Sequence, residues 1–220
     1  MICPPCNQNC NQGRNCPRQD AIHLDQGSLE WKKAKLGYVS ASSIADVMAK
    51  GKGISRHKYM VKLVAERLTG EVTESYTNDA MQHGIDTEEL AKIAFQNATQ
   101  TLTEKTGFWK HPKIEWLGVS PDALIGDDTV VEVKCPNTTT HIDYIFEDRC
   151  PVEYYKQIQC QLWVTGRAKA YFVSFDNRLP EKNQLFIKEV NRDEELIKEM
   201  ETEVLLFLKE TQSMIDRLRG

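Results

Sequence analysis

The stretch GVSPDALIGDDTVVEVKCP, Gly118 to Pro136, constrains the fold more than any other part of the chain. Its run from Thr129 to Val133 is β-branched and apolar, as in a buried strand, yet it carries Glu132 and is followed by Lys134. Side chains alternate faces along a strand, so Glu132 and Lys134 share one face while Val131 and Val133 share the other. One face is then expected in the core and the other on a cleft. Asp122 lies ten residues before Glu132, across a turn at Gly126, Asp127 and Asp128. A three-residue loop sets Asp122 opposite Glu132, with Cβ atoms roughly 4.5 to 5.5 Å apart. A two-residue loop sets it against Val133 and turns it into the core.

Two carboxylates that close repel each other, and a hard divalent cation relieves the repulsion. Lys134 beside them offers charge to a pentavalent phosphate or orients an attacking water. A bound metal eases the deprotonation of water, which is the nucleophile phosphodiester hydrolysis needs. The same spacing also fits a surface aspartate and a Glu-Lys pair on an edge strand.

At 220 residues the chain is long enough for one ordinary domain with a sizeable core. With 40% hydrophobic and 27% charged residues it reads as a soluble globular protein. No window approaches the roughly 18 uninterrupted apolar residues of a membrane span, and no secretory leader is legible, so a cytoplasmic location without membrane contact is expected. The net charge of -4 argues against a generally basic coat for nucleic acid. The charge is uneven, however. Trp31 to Lys62 holds eight Lys or Arg against one acid, and Glu189 to Glu210 holds eight acids against three bases. Such asymmetry allows one basic surface for a polyanion, and it equally describes two solvated helix faces.

Four of the seven cysteines, Cys3, Cys6, Cys10 and Cys16, crowd the start. Their spacing suits a Zn2+ site or an iron-sulfur cluster, and also a reduced tail, whereas a disulfide framework does not fit a chain without export signals. Cys135, Cys150 and Cys160 sit in apolar patterns, as small buried hydrophobes do. Residues 1–19 are therefore expected as a Cys-rich extension and 20–220 as the folded domain.

Helical signals follow. Ser28 caps LEWKKAKLG, Ser40 or Ser42 opens SSIADVMAKG, and SRHKYMVKLVAERLTG closes on Gly70. A longer helix spans about Asn78 to Asn97, with Met81, Ile85, Leu90, Ala91, Ala94 and Phe95 on its apolar side. From Thr101 to Lys134 the pattern turns to a meander of three or four strands. VEYYKQIQCQLWVTG returns to helix, AKAYFVSFD and NQLFIKEV are strands, and the chain closes on an amphipathic helix. The expected assembly is a single α/β domain with a mixed central β-sheet flanked by helices.

SPDAL followed by VEVKCP matches the PD-(D/E)xK nuclease pattern. The wider text resembles the YqaJ viral recombinase family, which includes lambda exonuclease, through LGYVSASSIADVMAKG, HGIDTEELA, GVSPDAL, VEVKCP, YYKQIQCQLWVTG and YFVSFD. The resemblance implies a restriction-endonuclease-like core. It implies that Asp122 and Glu132 bind metal with the Val133 carbonyl, that Glu88 stands near a second metal, and that Lys134 and Gln157 are catalytic. It implies a pocket for a DNA 5'-phosphate at Lys35, Ser42, Ser120 and Thr140. Lys35 and Thr140 stand where the family has arginine, so the planar fork is replaced by a point charge and by no charge.

The implied activity is a Mg2+-dependent exonuclease, with Mn2+ able to substitute, that degrades one strand of double-stranded DNA from its 5' end. The implied product is a 3' single strand for an annealing protein. The implied assembly is a homotrimeric ring, in a bacterial host cell carrying a phage or prophage. A restriction-type endonuclease on the same core would need base-reading elements, and no insertion supplies them. A DNA-end-binding module with a dead site fits poorly with an intact Asp122, Glu132 and Lys134.

Overall fold

The computed structural model describes residues 21–22, 24, 26–49, 53–73 and 79–220. Cys3, Cys6, Cys10 and Cys16 lie outside the described residues, as do Lys50 and Lys52 of the basic stretch. So do the 1–19 extension and its possible metal.

Among the described residues eight strands form two four-stranded sheets. The first has the order β1 (Ala21–Ile22), β3 (Phe108–Lys110), β4 (Leu117–Val119), β2 (Val39–Ser40). The second has the order β5 (Ala123–Ile125), β6 (Thr129–Lys134), β7 (Lys169–Phe175), β8 (Leu185–Asn191). Both sheets are mixed, because β2 runs parallel to β4 and β6 runs parallel to β7 while the other pairs are antiparallel. The expected meander is thus four strands shared between two sheets, and the break falls at Ser120 to Asp122. Pro121 has no N–H for a ladder and restrains the residue before it, which suits it to leaving one sheet for another.

Among the described residues seven α-helices surround the sheets: α1 (Leu29–Ala34), α2 (Ile44–Val47), α3 (Ile54–Thr69), α4 (Asp79–Thr99), α5 (Thr138–Glu147), α6 (Val152–Thr165) and α7 (Glu194–Arg219). The Ser28 hydroxyl accepts the Trp31 N–H and caps α1. Gly70, at φ +70°, ends α3 as the sequence predicts. Around Ser40 and Ser42 the outcome differs. A short 3-10 turn over Ala41–Ser43 leads into α2, and neither Ser40 nor Ser43 caps through its side chain. The Ser40 and Ser42 hydroxyls bond each other instead, at 3.1 Å.

The second sheet is covered on both sides. Ala91 and Phe95 of α4 pack on Val131, Val133 and Val173. Ile158 and Leu162 of α6 join Val130 and Phe172 in the larger cluster on the other side. Each fully buried Val, Leu or Phe there contributes roughly 1.5 to 3 kcal/mol of burial energy. Leu90, expected on the apolar side of α4, is 49% exposed, because the seam narrows to Ala91 and Phe95. Among the described residues no helix is long and apolar enough to cross a membrane.

Candidate active site

The β5–β6 turn is the three-residue form. Ile125 pairs with Thr129, Leu124 with Val130 and Ala123 with Val131, leaving Gly126, Asp127 and Asp128 as the loop. The residue before Ala123 therefore stands level with Glu132, and it is Asp122. Its Oδ2 accepts the Val133 N–H at 2.7 Å. The buried Arg167 holds the turn, donating from Nη1 to the carbonyls of Gly126 at 2.8 Å and Thr129 at 3.0 Å.

Glu132 does not look onto an open cleft, contrary to the expectation from strand alternation. It is 1% exposed, because the face it shares with Val130 is roofed by α6. Its carboxylate is received there by polar groups. Lys134 Nζ and Gln157 Nε2 both donate to Oε1, and Gln161 Nε2 donates to Oε2 at 2.5 Å. Gln161 escaped the sequence reading. Its signal was the spacing of four from Gln157, which puts both amides on one face of a helix. The Gln161 Oε1 is buried with no hydrogen-bond partner, a cost of about 1 to 3 kcal/mol.

The electrostatics are those of crowded acids. Burial, then Glu132 and Glu88, push the Asp122 carboxyl well above its ordinary range, although Lys134 and the Val133 N–H oppose them. Burial alone would lower the Lys134 ammonium, but Glu132 and Asp122 hold it above its usual value. Its Nζ also lies 5.0 Å over the Tyr154 ring. Burial pushes the Cys135 thiol up to about 12, with Glu88 and Asp122 adding to the shift. Cys160 is wholly buried, Cys135 and Cys150 partly so, and all three are free thiols.

Glu88 comes from α4 into the same cleft as Asp122, a space of about 550 Å³ also lined by Glu89, Lys92 and Lys105. There it is paired with Lys92 at 2.7 Å. Among the described residues no three of His, Cys, Asp and Glu converge closely enough to enclose an ion. The donor set nevertheless suits a hard divalent cation. It consists of carboxylate oxygens, and the repulsion from Glu132 that adds to burial in raising Asp122 is what a cation removes. Lys92 engages only the Oε1 of Glu88, which leaves its second oxygen for such a set.

The residues expected around a phosphate are partly gathered. A second cavity, of about 270 Å³, is lined by Lys35 and Ser42 with Trp31, Ser40, Tyr59 and Lys62. Burial lowers Lys35 to about 8, against the pull of Asp122 and Glu132, and its ammonium lies 3.6 Å over the Trp31 ring. Ser120, two residues before Asp122, has a buried hydroxyl without a partner. Neither Ser120 nor Thr140 lines either cavity. Thr140 is in the first turn of α5, its N–H taken by the Asn137 cap.

The profile of the YqaJ-like viral recombinase domain matches residues 30–168. An alkaline exonuclease from Laribacter hongkongensis superposes with a TM-score of 0.82 at 43% identity, over 87% of this chain and 96% of that one. The same exonuclease in complex with dAMP gives 0.83 and 44% over the same shares. A phage related exonuclease from Haemophilus somnus 129PT has the same fold, with a TM-score of 0.69 at 16% identity over 85% of this chain and 99% of that one. Among curated protein sequences none matches this chain.

Proposed function

The chain belongs to the YqaJ-like viral recombinase domain family, and from that premise we propose that it is a Mg2+-dependent exonuclease. It degrades one strand of linear double-stranded DNA from the 5' end to mononucleotides. The observation that carries this reading is the side-by-side setting of Asp122 and Glu132 at the end of one hairpin, with Lys134 against Glu132.

In this reading Asp122, Glu132 and the Val133 carbonyl would hold a divalent ion, and Glu88 would stand near a second one. When bound, the ion supplies Lewis acidity and lowers the pKa of water. Asp122 keeps its place through the Val133 N–H, and Gln157 orients Glu132. Lys134 brings a positive charge to the phosphate oxygens as negative charge develops on them. Lys35, Ser42 and Ser120 receive the 5'-phosphate, with an ammonium in place of a guanidinium fork. Thr140 is the weakest member of that set, because it carries no charge where a guanidinium is expected.

The 3' overhang left behind suits a single-strand annealing partner, and a ring of three subunits suits an acidic chain that turns a basic segment toward DNA. A linear duplex labelled at its 5' or 3' ends, with Mg2+ added or chelated, tests the reading. Mg2+-dependent release of labelled mononucleotides from the 5' end is the expected result. Discrete internal fragments, or release from the 3' end, would overturn it.

A further inference from the structure

Gln161 lies one turn beyond Gln157 on α6 and is fully buried. Its Nε2 serves Glu132 Oε2, while Gln157 and Lys134 serve Oε1, so both oxygens of one carboxylate have side-chain donors. Turning the Gln161 amide over would set its Oε1 against the carboxylate, so Glu132 fixes which way it points. In the observed orientation Oε1 has no partner. A position that only had to be filled takes Leu or Met with no stranded carbonyl. The amide is kept for what its N–H does.

We propose that Gln161 is a positioning residue for Glu132. Lys134 and Gln157 together grip a single oxygen, which leaves the carboxylate free to rotate about that grip. The Gln161 N–H at the other oxygen removes this freedom and sets the plane in which Glu132 meets a divalent ion. The proposal rests on the reading of Glu132 as a metal ligand, and it adds the second point that fixes that ligand's orientation. Outer groups that hold a ligating carboxylate typically change metal affinity or activity by about 10 to 100-fold when removed.

The test uses the whole chain without DNA and Mn2+ alone as probe, titrated by calorimetry, with melting temperatures measured alongside. Gln161→Met keeps the volume and removes the donor. Gln161→Asn keeps an amide but falls one methylene short. Both are expected to weaken Mn2+ binding about 10 to 100-fold, and to weaken it no further when combined with Glu132→Gln. If Gln161→Met does not fold, the Asn variant carries the same expectation. Wild-type Mn2+ affinity in a folded Gln161 variant would overturn the proposal. So would an equal loss in the Glu132→Gln background, since that would show an effect not routed through Glu132. Unchanged Mn2+ binding in Glu132→Gln alone would instead remove Glu132 as a ligand, and with it the role assigned to Gln161.

Discussion

Asp122 Oδ2 accepts the Val133 N–H at 2.7 Å, which ties the acid to the backbone one residue past Glu132. Asp122→Asn keeps an acceptor for that bond and deletes a charge that burial and Glu132 disfavour. The variant should melt no lower than the parent while strand degradation falls by about 100 to 1,000-fold, the scale of a lost electrostatic partner in a reacting site. Glu132→Gln and Lys134→Ala should lose activity on a similar scale. Circular dichroism melting beside release of 5'-labelled nucleotide checks this, and near-parental turnover in any of the three removes that residue from the chemistry.

Lys35 gives a pH dependence. With burial lowering its pKa to about 8, the side chain is charged below that pH and neutral above it while the protein stays folded. Binding of a 5'-phosphorylated duplex end, measured by anisotropy without divalent ions, should weaken by up to roughly tenfold in all between pH 7 and pH 9. A 5'-hydroxyl end should show little of this, and Lys35→Arg should flatten the profile because a guanidinium keeps its charge. Identical pH profiles for the two ends would dissociate Lys35 from phosphate recognition.

Asp176 responds to acid. Burial would raise its carboxyl, but Arg178 and the Thr138 hydroxyl more than offset this and hold it at about 2. A depressed carboxylate stabilises the fold above its ordinary pKa, and the contribution fades as pH falls toward the lowered value. Arg178 also donates to the Pro136 carbonyl, so the pair fastens the chain just past Lys134. Asp176→Asn should cost about 1 to 2 kcal/mol at pH 7, allowing for screening at the exposed Arg178. The gap should narrow near pH 3, as urea midpoints at the two pH values will show.

Arg167→Met should leave the Gly126 and Thr129 carbonyls without the guanidinium they share. The expected loss is roughly 2 to 4 kcal/mol, because buried acceptors are left unpaired. Denaturant unfolding followed by tryptophan fluorescence reads it directly.

The acid pair was legible only conditionally, because strand alternation is arithmetic but the sequence left a two-residue and a three-residue loop both open. Once the Gly126–Asp128 loop has three residues, Asp122 has one place to be. The helices with apolar spacing and glycine stops were legible for the same local reason. α5 was not, since TTTHIDYIFE opens on three β-branched residues that favour helix weakly. Tertiary contacts make it helical. Asn137 caps it, and His141, wholly buried, bonds the Ser174 hydroxyl and the Asn183 carbonyl. The roof over Glu132 was equally hidden, because nothing local tells which face of a strand a distant helix will cover. For Gln161 the spacing from Gln157 marked a shared helix face, but not the partner 29 residues away that this face meets.

The tip of the β5–β6 hairpin is exposed at Gly126, Asp127 and Asp128, and exposed tips are ordinarily where chains tolerate gained or lost residues. Here the tip acts as a parity counter for the strand behind it. A one-codon deletion shifts the partner of Glu132 by one and turns Asp122 to the opposite side of the sheet, while a substitution at Asp127 leaves the count unchanged. Insertion-deletion scanning and substitution scanning should therefore disagree at this spot. Away from Gly126, whose φ of +48° favours glycine, its composition can drift where its length cannot, and a single lost triplet there is expected to stop strand degradation as losing Asp122 would.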